Sequence, residues 1–164
     1  SIATPLPTQP SYIITPNPVQ ASQWKAYEEA LSEKLLNFRG DNAAGDRFIC
    51  EWILLGSEPG KLYTWVKCNG IFLSDETDLY SDHSTKAVIL IDENDSVLEI
   101  IIPWDVSSSY NEGVRILFPE ELLGINSSLL GEFTRIGNHL EYRRENPDEP
   151  PLIILDLTPS PENN

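Results

Sequence analysis

Five side chains of ligand type fall within nine residues: Asp75, Glu76, Asp78, Asp82 and His83. Hard carboxylate oxygens on a polar loop are what Ca²⁺ uses. Their spacing is not that of an EF-hand loop, and the glycine such a loop carries at its sixth position is missing. The expectation is a solvated acidic loop with no metal, in which Asp75, Asp78, Asp82 and His83 are weak candidates for binding a ligand. Ser81, Asp82, His83 and Ser84 also set a nucleophile, an acid and a base side by side. A catalytic triad, however, is assembled from separated segments in a fixed geometry, so this run supports catalysis only thinly. His139 lies among charged residues, where an exposed or capping histidine is the ordinary expectation. No glycine-rich phosphate loop is visible, and a chain with 26 acids does not single out two carboxylates for glycoside chemistry. No catalytic residue and no cofactor is expected, and an enzyme is the less favoured reading.

The two cysteines, Cys50 and Cys68, offer a different chemistry. They sit one on each arm of RFICEWILLG–SEPG–KLYTWVKCNGIF, whose arms are dense in aromatic and β-branched residues. Opposed positions of an antiparallel hairpin have a constant index sum. Cys50 opposite Cys68 also sets Ser57 opposite Lys61 and leaves Glu58-Pro59-Gly60 as a three-residue loop. Pro59 fits that loop imperfectly, so a register off by one stays open. Opposed Cα atoms lie about 4.5–5.5 Å apart, within reach of a disulfide. Two reduced, buried thiols are the alternative; the matched positions favour the disulfide. Two cysteines and two distant histidines make no recognisable zinc spacing.

The net charge of −15 argues against nucleic acid and anionic membrane surfaces as partners. Eight acids and one lysine lie in residues 75–99, a patch able to steer a basic partner or simply to keep the chain soluble. No stretch approaches 18 consecutive apolar residues, so no membrane span is expected. The sequence holds no methionine, and the chain is read as a processed or truncated product that permits a removed targeting segment. Two Asn-x-Ser sequons begin at Asn94 and Asn126; they matter only in a eukaryotic secretory pathway.

These residues are positioned by the following elements. Ten of the 13 prolines lie in residues 1–18 and 147–164, so residues 1–17 read as a Pro-rich spacer or tether and 158–164 as a disordered tail. Residues 18–157 form one expected α+β domain. Asn17-Pro18 opens a helix closing at Phe38-Arg39-Gly40, with Trp24, Tyr27, Leu31, Leu35 and Phe38 as its apolar stripe. Glu28, Glu29, Ser32 and Glu33 lie largely away from that stripe. The stripe is expected on Ile49, Trp52, Val88 and Ile100. After the cysteine hairpin, residues 75–85 read as a polar connection. Lys86–Ile91 and Val97–Ile102 form a second hairpin. Beyond Trp104 the pattern weakens to a loop with a helical turn at Pro119–Leu123. A helix candidate then spans Leu129–Arg144, and Leu152–Leu157 is a possible short edge strand.

The fold class is thus α+β: an N-terminal helix packed across a mainly antiparallel β-meander of two hairpins, with a C-terminal helix. The order is similar to that of cystatin-like and NTF2-like domains, a likeness of fold plan that implies no function. The cystatin Q-x-V-x-G loop has no counterpart. The functional expectation is a non-catalytic extracytoplasmic binding or protein-interaction module, secreted, periplasmic or envelope-anchored, with a protein or small-ligand partner. The alternative is a small hydrolase with a site near Asp75–His83.

Overall fold

The computed structural model describes residues 18–39, 47–71, 82–123, 130–146, 148–151 and 153–155. Asn17, Gly40, Asp75, Asp78, the Asn126 sequon and the end segments 1–17 and 158–164 lie outside them.

Helix α1 spans Pro18–Arg39. Strands β1 (Arg47–Glu58), β2 (Lys61–Ile71), β3 (Asp82–Ile91) and β4 (Val97–Ile101) follow as an antiparallel meander. Helix α2 spans Tyr110–Leu117 and α3 spans Leu130–Glu145; β5 (Ile153–Leu155) ends the described chain. The sheet order is β4-β3-β2-β1-β5, with β5 parallel to β1.

Both faces of this sheet are covered. Trp24, Tyr27, Leu31 and Leu35 of α1 pack on Phe48, Cys50, Trp52, Val66, Cys68, Ile89 and Ile100. On the other face Ile49, Ile53, Tyr63 and Val88 meet Val114 and Phe118 at α2 and Ile136 and Leu140 of α3. Ile49 and Val88 therefore do not lie under α1, contrary to the sequence reading. Strand side chains alternate faces, and their neighbours Phe48, Cys50, Ala87 and Ile89 hold the α1 side.

The cysteine register holds: Cys50 pairs with Cys68, and the same index sum runs from Arg47 to Leu54. It then shifts at Leu54/Gly56, so that Ser57 opposes Leu62 rather than Lys61 and the loop is Pro59-Gly60 alone. The reason is turn chemistry. Proline suits the first central position of a type II turn, and Gly60 supplies the positive φ, +82°, of the second. The extra residue is absorbed as a bulge. In the second hairpin, Asp92 Oδ1 accepts from the amides of Asn94 (2.8 Å) and Ser96 (3.0 Å), and Asp95 takes a left-handed φ of 62°.

Two further differences bear on function. Residues 82–85 belong to β3 rather than to a polar connection, because the long β2 continues to offer partners: Asn69↔Asp82, Cys68↔His83. The stretch after Trp104 holds α2, where a weak loop was expected. Ser109 caps it, its Oγ accepting from Glu112 N at 3.4 Å. Gly113 lets α2 close on the turn after β4: a Cβ there would lie 2.3 Å from the Pro103 carbonyl oxygen.

Candidate functional site

Asp82 and His83 start a strand and are held by its neighbours. Asp82 Oδ2 lies 3.3 Å from Lys67 Nζ, and its Oδ1 accepts from Asn69 Nδ2 at 3.3 Å. The His83 ring lies 6.3 Å from both Phe38 and Trp104, in an aromatic group that Tyr110 extends. Among the described residues, no three His, Cys, Asp or Glu side chains converge as metal ligands. Cys50 and Cys68 form a disulfide, with Cα atoms 4.1 Å apart, wholly buried beneath α1.

The sheet's two edges differ in how their backbone groups are satisfied. At the β1 edge, β5 covers only Trp52, Ile53 and Leu54. Below it, side chains take over. Ser32 Oγ accepts from Phe48 N and Glu28 Oε1 from Cys50 N, each at 2.8 Å. Arg143 donates to the Cys50 carbonyl at 2.9 Å and to Glu28 Oε1 at 2.6 Å. Its Nε reaches the Glu149 carbonyl at 2.7 Å, and its guanidinium lies 5.3 Å over the Trp24 ring. Glu51 Oε2 stands 3.7 Å from the same guanidinium and in contact with His139 Nδ1. Burial first, then the Arg143 charge, push the His139 imidazole below its ordinary value. The shift favours the neutral ring, whose Nδ1 shares a hydrogen bond with Glu51 Oε2. Four ionisable side chains thus lock α1, β1 and α3 together and cover that edge.

The β4 edge is different. Ile91 N donates to the Gly60 carbonyl at 3.0 Å, so Ile91 and Ile89 turn their backbone groups toward β2. Leu90 and Val88 turn theirs toward β4, onto Glu99 and Ile101. Ile100 must then direct its N–H and C=O away from the sheet, and among the described residues no strand lies beyond it. The next outward amide, Ile102 N, is already taken by Asp105 Oδ2 at 2.8 Å. Between this edge and α1 runs a groove of ≈ 690 Å³. Its floor is Val97 and Ile100 on one side and the small Ala26 and Ala30 on the other. Glu29 and Glu33 of α1 line it as well; its cation, Lys34, is paired with Asp105 at 2.8 Å. Leu98, 66% exposed, stands at the lip. At the other end Tyr27 donates to the Asp95 carbonyl at 2.7 Å. Burial first, then the nearby Asp95 and Asp92 carboxylates, push its hydroxyl up to about 12.

Sequence reasoning missed both arrangements. Glu28 and Ser32 are not away from the stripe but buried on its β1 flank, 8% and 6% exposed. The signal was spacing: Glu28 is four residues after Trp24, and Arg143 continues the series Ile136, Leu140 at a helical interval. Glu51 likewise alternates with Ile49 and Ile53. Nothing in the sequence marks the groove, because it is made by what α1 lacks at Ala26 and Ala30. Comparison of the chain with protein-family models, curated proteins and solved structures found no match in any of the three.

Proposed function

We propose that this chain is a non-catalytic, extracytoplasmic interaction module that takes a polypeptide partner along the groove between α1 and β4. The observation that carries this reading is the contrast between the edges. Proteins cover or blunt exposed sheet edges because unpaired strands recruit other chains. Here one edge is covered by a strand, a serine and a buried Glu–Arg pair, while along the other no strand lies among the described residues, beside an open, partly apolar groove. An open edge beside a helix is a surface suited to strand addition. The buried disulfide supports an oxidising compartment, where such bonds persist. No described helix is long and apolar enough to cross a membrane. For the alternative, hydrolysis near residues 75–83, Asp82 and His83 already serve in strand pairing, an ion pair and an aromatic cluster.

Panning a random linear-peptide library on the immobilised protein tests the reading. Peptides should be enriched whose binding is lost in Ala26→Trp, which fills the groove, and kept in Tyr142→Ala, on an exposed position of α3. Enriched peptides indifferent to Ala26→Trp, or no enrichment, would refute it.

A further inference from the structure

Resting on that reading, we infer that the groove's occupant is an extended cationic segment that adds to β4 as a sixth strand, with apolar side chains alternating with Lys or Arg. Three observations carry this. The hydrogen-bonding phase of β3 and β4 points the Ile100 N–H and C=O outward, and a strand laid alongside would satisfy both. Lys86, in the same phase as Val88, shows what this side of β3 does where β4 has ended: its amide takes a side-chain partner, the Tyr110 hydroxyl, at 3.0 Å. Beside Ile100 no side chain does so among the described residues. The floor is apolar on the sheet side, at Val97 and Ile100. It is small on the helix side, at Ala26 and Ala30, so alternate side chains of an added strand have apolar surface to cover.

The rim sets the charge. Glu29 and Glu33 line the groove from α1, and the Lys34 charge is paired with Asp105. Asp92, Glu93 and Asp95 lie in the turn that leads into β4 and add to the negative charge of this edge. An anionic strand would meet the Glu29 and Glu33 carboxylates with no cation among the lining residues but the paired Lys34, whereas Lys or Arg finds a counter-charge on the helix side. Such rim charges act chiefly through encounter rate and partner choice. The length of the site is bounded as well. The Lys34–Asp105 pair and the capped Ile102 amide close one end, and the Asp92–Ser96 turn closes the other. About five residues of partner fit between them, since β4 itself has 5.

The test uses the full chain and short blocked peptides of alternating Lys and Val. Amide shifts at β4 and the exposed face of α1 report the site, and titration calorimetry the affinity. The alternating peptide should bind at β4, and more weakly as salt rises. N-methylation on one strand edge should weaken it about tenfold or more, because the methyl removes the ladder hydrogen bonds. A Glu-Val peptide should fail. Glu29→Lys/Glu33→Lys, two exposed helix positions, should weaken the Lys-Val peptide and admit the Glu-Val one. Equal binding of both charges, or indifference to N-methylation on either edge, would overturn the inference. So would a concentration-dependent dimer paired through β4, which would make a second copy the occupant. If library peptides bind at the groove but the Lys-Val peptide does not, this inference fails while the interaction reading stands. If neither binds, both fall.

Discussion

Arg143 is the side chain on which most depends. It is wholly buried, and its nitrogens serve Glu28, the Cys50 carbonyl and the Glu149 carbonyl at once, with Glu51 nearby. Arg143→Met keeps much of the volume over Trp24 but leaves carboxylates and a carbonyl buried without their donor. Removing one partner of a buried ion pair in this way costs about 3–5 kcal/mol, measurable by denaturant unfolding; a loss under about 0.5 kcal/mol would place the network among inconsequential surface contacts. Lysine at this position would carry the charge without the fork that reaches several acceptors. The neighbouring His139 supplies a pH dependence. Its folded pKa is lowered, by burial first and then by Arg143, with Arg135 adding and Glu149 opposing. In the unfolded chain the ring takes its proton near the ordinary value of about 6.5, while the folded protein refuses it until lower pH. The unfolded state then binds more protons in that interval. The contribution is therefore complete above about pH 6.5 and is lost as pH falls through the folded pKa, at a slope of at most about 1.4 kcal/mol per pH unit. An NMR titration of the His139 ring should give a midpoint below that of an exposed imidazole. A midpoint above it would mean that the adjacent Glu51 carboxylate governs the ring, and the slope would change sign.

At the scale of elements, the cysteine hairpin is the firmest prediction that the sequence supported, and its bond is the one to break. Cys50 and Cys68 are separated by 18 positions, and the chain-entropy account gives a loop of that size about 3 kcal/mol of stabilisation. Cys50→Ala/Cys68→Ala should lose about that much in urea unfolding, and the intact mass of the native protein should change on alkylation only after reduction. Free thiols in the native protein would remove both the bond and the chief support for export. The same hairpin shows how far sequence patterns reach. Alternation and the Cys–Cys match read the pairing correctly up to Leu54. They failed beyond it because a single bulge shifts the register, and nothing local announced it except the misfit of Pro59 to the longer loop. Helix α1 was legible from Trp24, Tyr27, Leu31 and Leu35, whose spacing has no other use. Helix α2 was not, although Ser109-x-x-Glu112 is the signature of a helix start; its short run and internal Gly113 hid it. Ile49 and Val88 were assigned to the wrong face because a doubly covered sheet is apolar on both sides, and hydrophobicity alone does not say which side meets α1. The groove was illegible for a different reason: it is a gap between an edge and a helix, visible only once the strand order is known.

For the whole molecule, the net charge of −15 outweighs any single ion pair. The exposed Lys25–Asp148 contact, at 3.7 Å, contributes little, while 26 acids against 11 bases repel one another throughout the folded state. Sodium chloride should accordingly raise the melting temperature, since screening relieves self-repulsion in the compact state more than it weakens the few exposed pairs. The same experiment decides the role of the acidic stretch at residues 75–83. If Asp75, Asp78 and Asp82 held Ca²⁺, binding to the folded state alone would stabilise it by mass action, by about 2.7 kcal/mol at a hundredfold excess over the dissociation constant. If they are solvated charge, calcium chloride should do no more than sodium chloride at matched ionic strength. The second outcome is expected, because the acids follow no ligand spacing and Asp82 is already engaged by Lys67 and Asn69. A rise specific to calcium and abolished by Asp78→Asn would show instead that the loop is a metal site. In that case the entrance to β3, rather than the α1–β4 groove, would be the first place to look for this protein's chemistry.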